Sequence, residues 1–338
     1  MARKHCVIIG NGPAGNAAAF TLREKDPDAR ITVIGEECNH RYRPDLLPDY
    51  IAGTVAEEDL FVGTTESYKR QDIKLRLGQR VVSVDFRTRE LLLEHNETIH
   101  FTGLIIACGA KPRIPEPLEI FEDLMLTLKT PADARVWIER LPHVNHVLIV
   151  GGDLTSLSLT KALLHLGKRV TFLLDGGSFR PVPLSPKVRD EVARKLTARG
   201  VEVTACNKIR RVAKISEHAI EVATDCRTMT VGILGAFFGL VPNVKFLARS
   251  GLDMERGVLV NEYLKTVFDN VYAAGDCAQV YHPGIRDYWV SIGCANAEAL
   301  GRTAALNLLG DMVPVNVERA SILEIDGINV NTSWWTEF

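Results

Sequence analysis

The stretch HCVIIGNGPAGNAAAFTLREKDPDARITVIGE, residues 5–36, decides the fold. A short apolar run is followed by a helix-length segment and then by a second apolar run, which is the pattern of a β-α-β unit. Gly10, Gly12 and Gly15 form G-x-G-x-x-G at the first turn, and Glu36 follows at the end of the second strand. In such a loop the first glycine permits the tight turn, the second lets a pyrophosphate approach the backbone, and the third lets helix and strand pack closely. The stretch therefore predicts a dinucleotide site in which Glu36 accepts hydrogen bonds from an adenosine ribose.

A second copy of this pattern, with a less regular loop, occupies residues 142–175. A strand HVLIV, a helix TSLSLTKALLHLG and a strand RVTFLLD follow one another, and the last of them ends in Asp175. Aligned on the first copy, Gly151 holds the first glycine position, Asp153 the second and Ser156 the third. The chain therefore contains an internal repeat of two nucleotide-binding units.

Asp153 puts a carboxylate where a phosphate loop ordinarily has glycine. At about 5 Å from a phosphate and an effective dielectric of roughly 20, the repulsion is on the order of 3 kcal/mol, or roughly a hundredfold in affinity. The start of the following helix is still expected to be available to a phosphate. Asp175 is placed to accept from a ribose 2′-hydroxyl, which favours NADH over NADPH. The second copy is thus expected either to bind NAD(H) weakly or to be degenerate.

Composition limits the class of protein. The 338 residues suffice for two or three domains, and 46% hydrophobic with 24% charged residues is typical of a soluble globular protein. A net charge of −2 leaves no basic surface for nucleic acid. The apolar runs are shorter than the roughly 20 residues that span a bilayer, and the one near the N-terminus is too short for a signal peptide. We therefore expect a cytoplasmic protein with no membrane span and no nucleic-acid partner.

The cysteines indicate neither a metal site nor a dithiol. There are seven of them, with no C-x-x-C spacing, and no histidine cluster lies near them. This pattern argues against zinc, against an iron-sulfur cluster within this chain and against a redox-active vicinal dithiol. We predict no metal ligands.

The stretch VLVNEYLKTVFDNVYAAGDCAQ, residues 258–279, places Asp276 directly after a strand and a glycine. Here the sequence resembles the two-dinucleotide-binding-domain flavoproteins, the FAD-dependent pyridine nucleotide oxidoreductases, and especially their rubredoxin reductase-like and nitrite reductase flavin-module branch. The matching segments run in family order over about the first 310 residues. They are GNGPAG with Glu36, RYRPDLLPDYIAG (41–53), LIIACGAKP, GLVPN (239–243), VYAAGDC and ALGRTAALNLLG (299–310).

The resemblance implies an α/β fold with two Rossmann-like three-layer domains, the second inserted in the first. Residues 1–112 plus 243–311 would form a discontinuous FAD-binding domain, and residues 113–242 an NAD(P)-binding-like domain. Residues 312–338 would be a remnant of the family's C-terminal domain or an interface tail.

The resemblance also implies which residues hold the cofactors. The backbone of Val81 would meet the adenine, Asp276 would hold the ribityl or phosphate side of the flavin, and a helix from about Ala295 would point its positive end at the flavin pyrimidine. The implied FAD contacts are Gly10, Gly12, Pro13, Ala14, Gly15, Glu36, Arg43, Pro44, Val81, Ala107, Cys108, Gly109 and Asp276. The implied NAD contacts are Gly151, Gly152, Asp153, Asp175 and Gly239.

The sequence departs from the family in two further places. Asp45 stands where disulfide-reducing relatives carry a cysteine, so a thiolate mechanism is not expected and the flavin itself would perform the chemistry. The chain ends soon after ASILEIDGINV, where relatives continue into a dimerisation domain, so the family homodimer is not expected. The terminal Trp334 and Trp335 would either anchor a different subunit or fold back onto this chain.

These patterns predict an FAD-containing oxidoreductase or electron-transfer subunit. It would move electrons between NAD(H) and a protein redox partner, an iron-sulfur or metal-containing subunit, through flavin N5 and without a redox-active disulfide. The alternative is a flavin electron-transfer subunit whose NAD site is degenerate and non-functional.

Overall fold

The computed structural model describes residues 4–174, 186–204, 208–290, 292–315, 322–325 and 328–331. Asp175, Trp334 and Trp335 therefore lie outside the described residues. The strands in the first part of the chain are β1 (His5–Ile9), β2 (Arg30–Ile34), β3 (Ile73–Arg76), β4 (Val81–Asp85), β5 (Glu90–Leu93), β6 (Thr98–His100), β7 (Gly103–Ile106), β8 (Ala110–Pro112), β9 (Met125–Leu126), β10 (His146–Gly151), β11 (Arg169–Leu174) and β12 (Glu202–Thr204). Those that follow are β13 (Ile209–Ser216), β14 (Ala219–Thr224), β15 (Thr228–Val231), β16 (Ile233–Phe237), β17 (Leu240–Pro242), β18 (Val258–Val260), β19 (Val271–Ala273), β20 (Ala278–His282), β21 (Asp287–Trp289), β22 (Ile322–Ile325) and β23 (Ile328–Asn331). The α-helices are α1 (Pro13–Lys25), α2 (Leu47–Ile51), α3 (Glu57–Leu60), α4 (Thr65–Arg70), α5 (Pro131–Arg140), α6 (Leu154–His165), α7 (Pro186–Ala198) and α8 (Cys294–Leu309).

The first glycine loop follows the central strand of a parallel five-stranded sheet with the order β19-β7-β1-β2-β3. The central strand β1 pairs with β2 from His5 opposite Arg30 and with β7 from Cys6 opposite Gly103. Its last four residues are apolar and buried, as expected of a strand that is covered by helices on both faces. β1 and α1 begin and end where the sequence predicts them.

The second glycine loop lies on a second sheet of the same design. Its order is β12-β11-β10-β16-β9, and β10 is paired in parallel with β11 on one side and β16 on the other. In each sheet the glycine loop follows a strand that lies between its two parallel partners, so the loop emerges where a nucleotide binds in doubly wound folds. The predicted α/β class with two Rossmann-like units is confirmed.

Two chain crossings connect the sheets, and they run side by side. β8 leads from the first sheet toward the second, β17 leads back, and the two pair in an antiparallel manner with Leu240 opposite Pro112. The first sheet takes its strands from residues 5–106 and 271–273, and the second from residues 125–237. The predicted domain boundaries are compatible with these strands and stay a prediction.

Buried side chains join the two units. Leu47 and Ile51 of α2, which precede the second unit in the chain, share one apolar cluster with Trp137 of α5 and Leu163 of α6. Beside the first sheet, α1 packs closely on α8, and a Cβ on Gly301 would overlap the carbonyl oxygen of Ala14. Within the described ranges, no helix has the length and apolarity needed to cross a membrane.

Candidate functional site

The first loop has the three glycines for three different physical reasons. Gly10 adopts a φ of 110°, and a Cβ there would overlap the carbonyl oxygen of Ala107. A Cβ on Gly15 would overlap the carbonyl oxygen of Gly10, so helix and strand need a glycine at their crossing. Gly12 is different, because it is exposed and a Cβ there would meet nothing within 4 Å. The sequence-predicted approach of a phosphate at Gly12 is therefore sterically open.

Two helices present uncapped N-termini at this site. Gly12 precedes α1 and Gly293 precedes α8, and no described side chain caps either helix. Gly293 is exposed like Gly12, with nothing within 4 Å of a Cβ. The first N–H groups of an α-helix have no partner within the helix, and together with the helix dipole they attract anions and polar ligand oxygens. This arrangement fits the diphosphate and the polar ring edge of FAD.

Four further predicted flavin residues follow neighbouring strands of the same sheet. Ala107, Cys108 and Gly109 follow β7 directly beneath Gly10, and Gly109 has a φ of 63°. Asp276 follows β19, which pairs with β7 with Ala273 opposite Ile106. Because the carboxyl ends of parallel strands meet at one edge, the structure brings these turns together.

Other surroundings hold Glu36, Val81, Arg43 and its neighbour Pro44. Glu36 is exposed just beyond β2, as a residue that binds a ribose would have to be. Val81 is buried at the start of β4. Arg43 is 53% exposed, and its guanidinium lies 2.6 Å from the carboxylate of Asp45. Their contact with FAD stays a prediction.

Sequence reasoning missed a buried polar network around the first loop. Arg41 donates from Nη1 to Asn16 Oδ1 at 3.0 Å, and Asn16 Nδ2 donates to the hydroxyl of Tyr68 at 2.6 Å. Tyr68 in turn donates to Asn11 Oδ1 at 2.7 Å. Two asparagines were the sequence signal for this network: Asn11 lies between the first two glycines, and Asn16 lies on the buried face of α1.

The second loop is closed by its own side chains. Asp153 is the N-cap of α6, as Gly12 is of α1, which agrees with the alignment of the two copies. Asp153 Oδ1 accepts from the Ser156 N–H at 2.8 Å, and the Asp153 N–H donates to Ser156 Oγ at 2.9 Å. This reciprocal pair is a capping box. A carboxylate of the chain therefore occupies part of the helix start at which a phosphate is expected, and phosphate binding there stays a prediction.

Burial makes the Asp153 carboxyl a weaker acid than usual. It raises the pKa of this carboxyl from 3.8 to about 6, although the N–H groups of Ser156 and Gly239 and the ammonium of Lys129 favour the ionised form. Gly239 and Asp153, two of the predicted NAD residues, are thus brought together. Gly151 repeats the role of Gly10, with a φ of 88° and no room for a Cβ against the Phe237 carbonyl.

Lys129 lies between the two loops. Its ammonium is 3.3 Å from Asp276 Oδ2 on the first sheet, and its charge acts on Asp153 at the second. Its backbone is fixed, because its N–H donates to Asp133 Oδ2 at 2.8 Å. One cation therefore links the electrostatics of both sites.

Two of the described thiols near the site, Cys108 and Cys294, have raised pKa values. Burial raises the pKa of Cys294, the first residue of α8, to about 11, and nearby carboxylates act in the same direction. A hydrogen bond with Cys277 and burial raise the pKa of Cys108. Neither Cys108 nor Cys294 is an activated nucleophile in these surroundings.

Comparison with known proteins matches this site to one family. A family model described as "Pyridine nucleotide-disulphide oxidoreductase" matches residues 4–298. The nitric oxide reductase FlRd-NAD(+) reductase of Escherichia coli O139:H28 (strain E24377A / ETEC) is 28% identical over 275 residues, which cover 81% of this chain and 72% of that protein. Putidaredoxin reductase CamA of Pseudomonas putida is 25% identical over 320 residues, covering 91% of this chain and 75% of that protein.

Solved structures show the same fold. The reductase in the covalent putidaredoxin reductase-putidaredoxin complex superposes with a TM-score of 0.87 at 22% identity, covering 97% of this chain and 80% of that one. The water-forming NADH oxidase from Lactobacillus brevis gives a TM-score of 0.86 at 20% identity, covering 96% of this chain and 73% of that one. The family model spans most of the chain and includes both glycine loops, so the chain belongs to the pyridine nucleotide-disulphide oxidoreductase family and is an FAD-dependent NAD(P)H oxidoreductase.

Proposed function

We propose that this chain carries electrons from NAD(H) through FAD to a redox protein that holds an iron-sulfur or metal centre, without a redox-active disulfide. The observation that carries the proposal is the pair of uncapped helix N-termini at Gly12 and Gly293, on the same strand edge as Asp276. Relatives named as reductases of putidaredoxin and of the nitric oxide reductase FlRd support a protein acceptor. When bound, FAD supplies the hydride and electron chemistry, and the protein supplies binding, orientation and electrostatics.

In this proposal each of the two glycine loops binds a different cofactor. FAD would lie along Gly12, the turn at Ala107 to Gly109 and Asp276, in a domain made of residues 1–112 and 243–311. NAD(H) would approach from the loop that contains Asp153. Lys129 would hold Asp276 in place through their 3.3 Å ion pair at the junction of the loops.

The test is an anaerobic reduction in two stages. The purified chain is loaded with FAD and titrated with NADH and with NADPH, and a [2Fe-2S] ferredoxin is then added as the acceptor probe. We expect NADH to bleach the flavin band and the ferredoxin to become reduced in proportion. Bound FAD that neither nucleotide bleaches would contradict electron entry from NAD(H). Bleached flavin that does not reduce the ferredoxin would contradict the protein acceptor.

The capping box of Asp153 and Ser156 favours a second candidate function. In this alternative the second unit is structural, and the chain is a flavin electron-transfer subunit that receives its electrons from another protein. Asp153→Gly distinguishes the two candidates, because it removes both the carboxylate and the cap. If the second site is functional but weakened, the wild-type chain is bleached by NADH and the variant binds NADH more tightly. If the site is degenerate, NADH leaves the wild-type flavin oxidised at every concentration.

A further inference from the structure

Arg41 occupies a different environment from the nearby Arg43. Its side chain is only 16% exposed, and it bridges two helices: Nη1 donates to Asn16 of α1 at 3.0 Å, and Nη2 pairs with Glu298 of α8. These are the two helices whose N-termini lie uncapped at the first glycine loop. Arg43, the arginine that the family resemblance assigns to the cofactor, is mostly exposed and pairs with Asp45.

The network that begins at Arg41 ends inside the glycine loop. It runs through Asn16 and the fully buried Tyr68 to Asn11, which lies between Gly10 and Gly12. Every link is a direct side-chain hydrogen bond between 2.6 and 3.0 Å. The network therefore encloses the first turn of α1, next to the open space at Gly12.

Both ends of the network carry a buried donor that lacks an acceptor among the described residues. These donors are Arg41 Nε and Asn11 Nδ2. Buried polar atoms without a partner are rare in folded proteins, and each calls for an explanation. Both atoms donate, so the group that satisfies them is an acceptor, and a phosphate oxygen is a strong one.

Glu298 does not pair with Arg41 alone. It also pairs with Arg302, whose guanidinium lies 3.7 Å from the other carboxylate oxygen and whose side chain is 53% exposed. One carboxylate is thus shared between two guanidinium groups, and the cluster keeps a net positive charge. That charge lies beside the N-terminal turn of α1, where the helix dipole also favours an anion.

We propose that Arg41 is a positioning residue for the diphosphate of FAD, fixing α1 against α8 and, with Asn11, supplying charge and hydrogen-bond donors at the Gly12 loop. The inference rests on the assignment of FAD to this loop. It adds a residue that the family resemblance does not assign, and it predicts that the charge of Arg41 matters beyond its bridge to Glu298.

The experiment measures the FAD dissociation constant of apoprotein from the full chain, with ADP as a competing probe that carries the diphosphate without the flavin. We expect Arg41→Met to raise the constants for FAD and ADP by the same factor, at least tenfold, and Arg41→Lys to recover part of the loss. Arg302→Met is the matched control, since it removes the same charge from the same carboxylate at an exposed position. It should weaken FAD binding less than Arg41→Met does, because it removes no donor beside the Gly12 loop.

Glu298→Gln separates charge from structure. If the positive charge binds the diphosphate, removing the competing carboxylate leaves FAD binding unchanged or tighter. A loss in Glu298→Gln as large as in Arg41→Met would overturn the proposal, because the bridge alone would then explain the effect. FAD binding within twofold of wild type in Arg41→Met would overturn it as well. Failure of the wild-type apoprotein to bind FAD would instead refute the cofactor assignment itself.

Discussion

Asp153→Asn tests the electrostatics of the second loop while leaving its shape almost unchanged. Asparagine is as good an N-cap as aspartate, so the hydrogen bond to the Ser156 N–H is retained and only the charge is lost. Burial raises the pKa of Asp153 from 3.8 to about 6 in the folded chain. A difference of roughly two pKa units corresponds to about 3 kcal/mol between the two protonation states.

The sign follows from proton linkage. Between about pH 4 and pH 6 the folded chain holds a proton on Asp153 that the unfolded chain has released, so the free energy of unfolding falls as pH rises through this window. Above pH 6 the full difference has been lost. We therefore expect Asp153→Asn to match the wild type near pH 4 and to be more stable by up to about 3 kcal/mol at pH 8.

The assay is urea unfolding of both proteins at pH 4, 5, 6, 7 and 8, with flavin content held equal. The same variant should also bind NADH more tightly at pH 8, by roughly a hundredfold if a phosphate approaches within about 5 Å of this side chain. Stability curves for the two proteins that run parallel from pH 4 to pH 8 would refute the reasoning, because they would show that this carboxyl titrates normally in the folded chain.

Four further substitutions test glycine packing, a buried arginine and the lysine between the two loops. Gly12→Ala should keep its free energy of unfolding within about 1 kcal/mol of wild type, because the Cβ enters open space, but should lose affinity for FAD, which is expected in that space. Gly15→Ala should lose several times more unfolding free energy, because its Cβ overlaps backbone. Urea unfolding of the apoproteins and FAD titration check both, and equal stabilities would contradict the packing argument. Arg23 is almost fully buried and donates to the carbonyls of residues 29, 71 and 72 at 2.7 to 2.9 Å. Arg23→Met should therefore lower the free energy of unfolding by about 3 kcal/mol. A loss under about 1 kcal/mol in urea unfolding would show that water replaces the guanidinium as the donor to these carbonyls. Lys129→Met removes a charge that lowers the pKa of Asp153, so the pH range over which the free energy of unfolding falls should extend to higher pH. An unchanged range in the same urea series would show that the ammonium does not act on this carboxyl.

The local elements were predictable because their causes are local. The apolar run of β1, Pro13 at the first position of α1 and the glycine spacing are all contained in a few neighbouring residues, and the structure places β1 and α1 where these signals put them. The alignment of Asp153 with Gly12 holds for the same reason, since both are N-caps. What the loop pattern could not show is the direction of the Asp153 side chain, which turns back onto its own helix rather than toward a ligand.

The amino-acid sequence by itself determined the repeated β-α-β units, the intact first loop and the family, because hydrophobic period and glycine spacing act over short distances along the chain. Only the tertiary structure decided which of two arginines two positions apart is buried, since Arg41 finds Glu298 only when α8 packs on α1, and that partner lies 257 residues away in the chain. Only the tertiary structure placed Lys129 between Asp276 and Asp153, because the two carboxylates belong to different sheets. Burial and charge depend on which segments meet, and packing between the distant segments of the chain settles that.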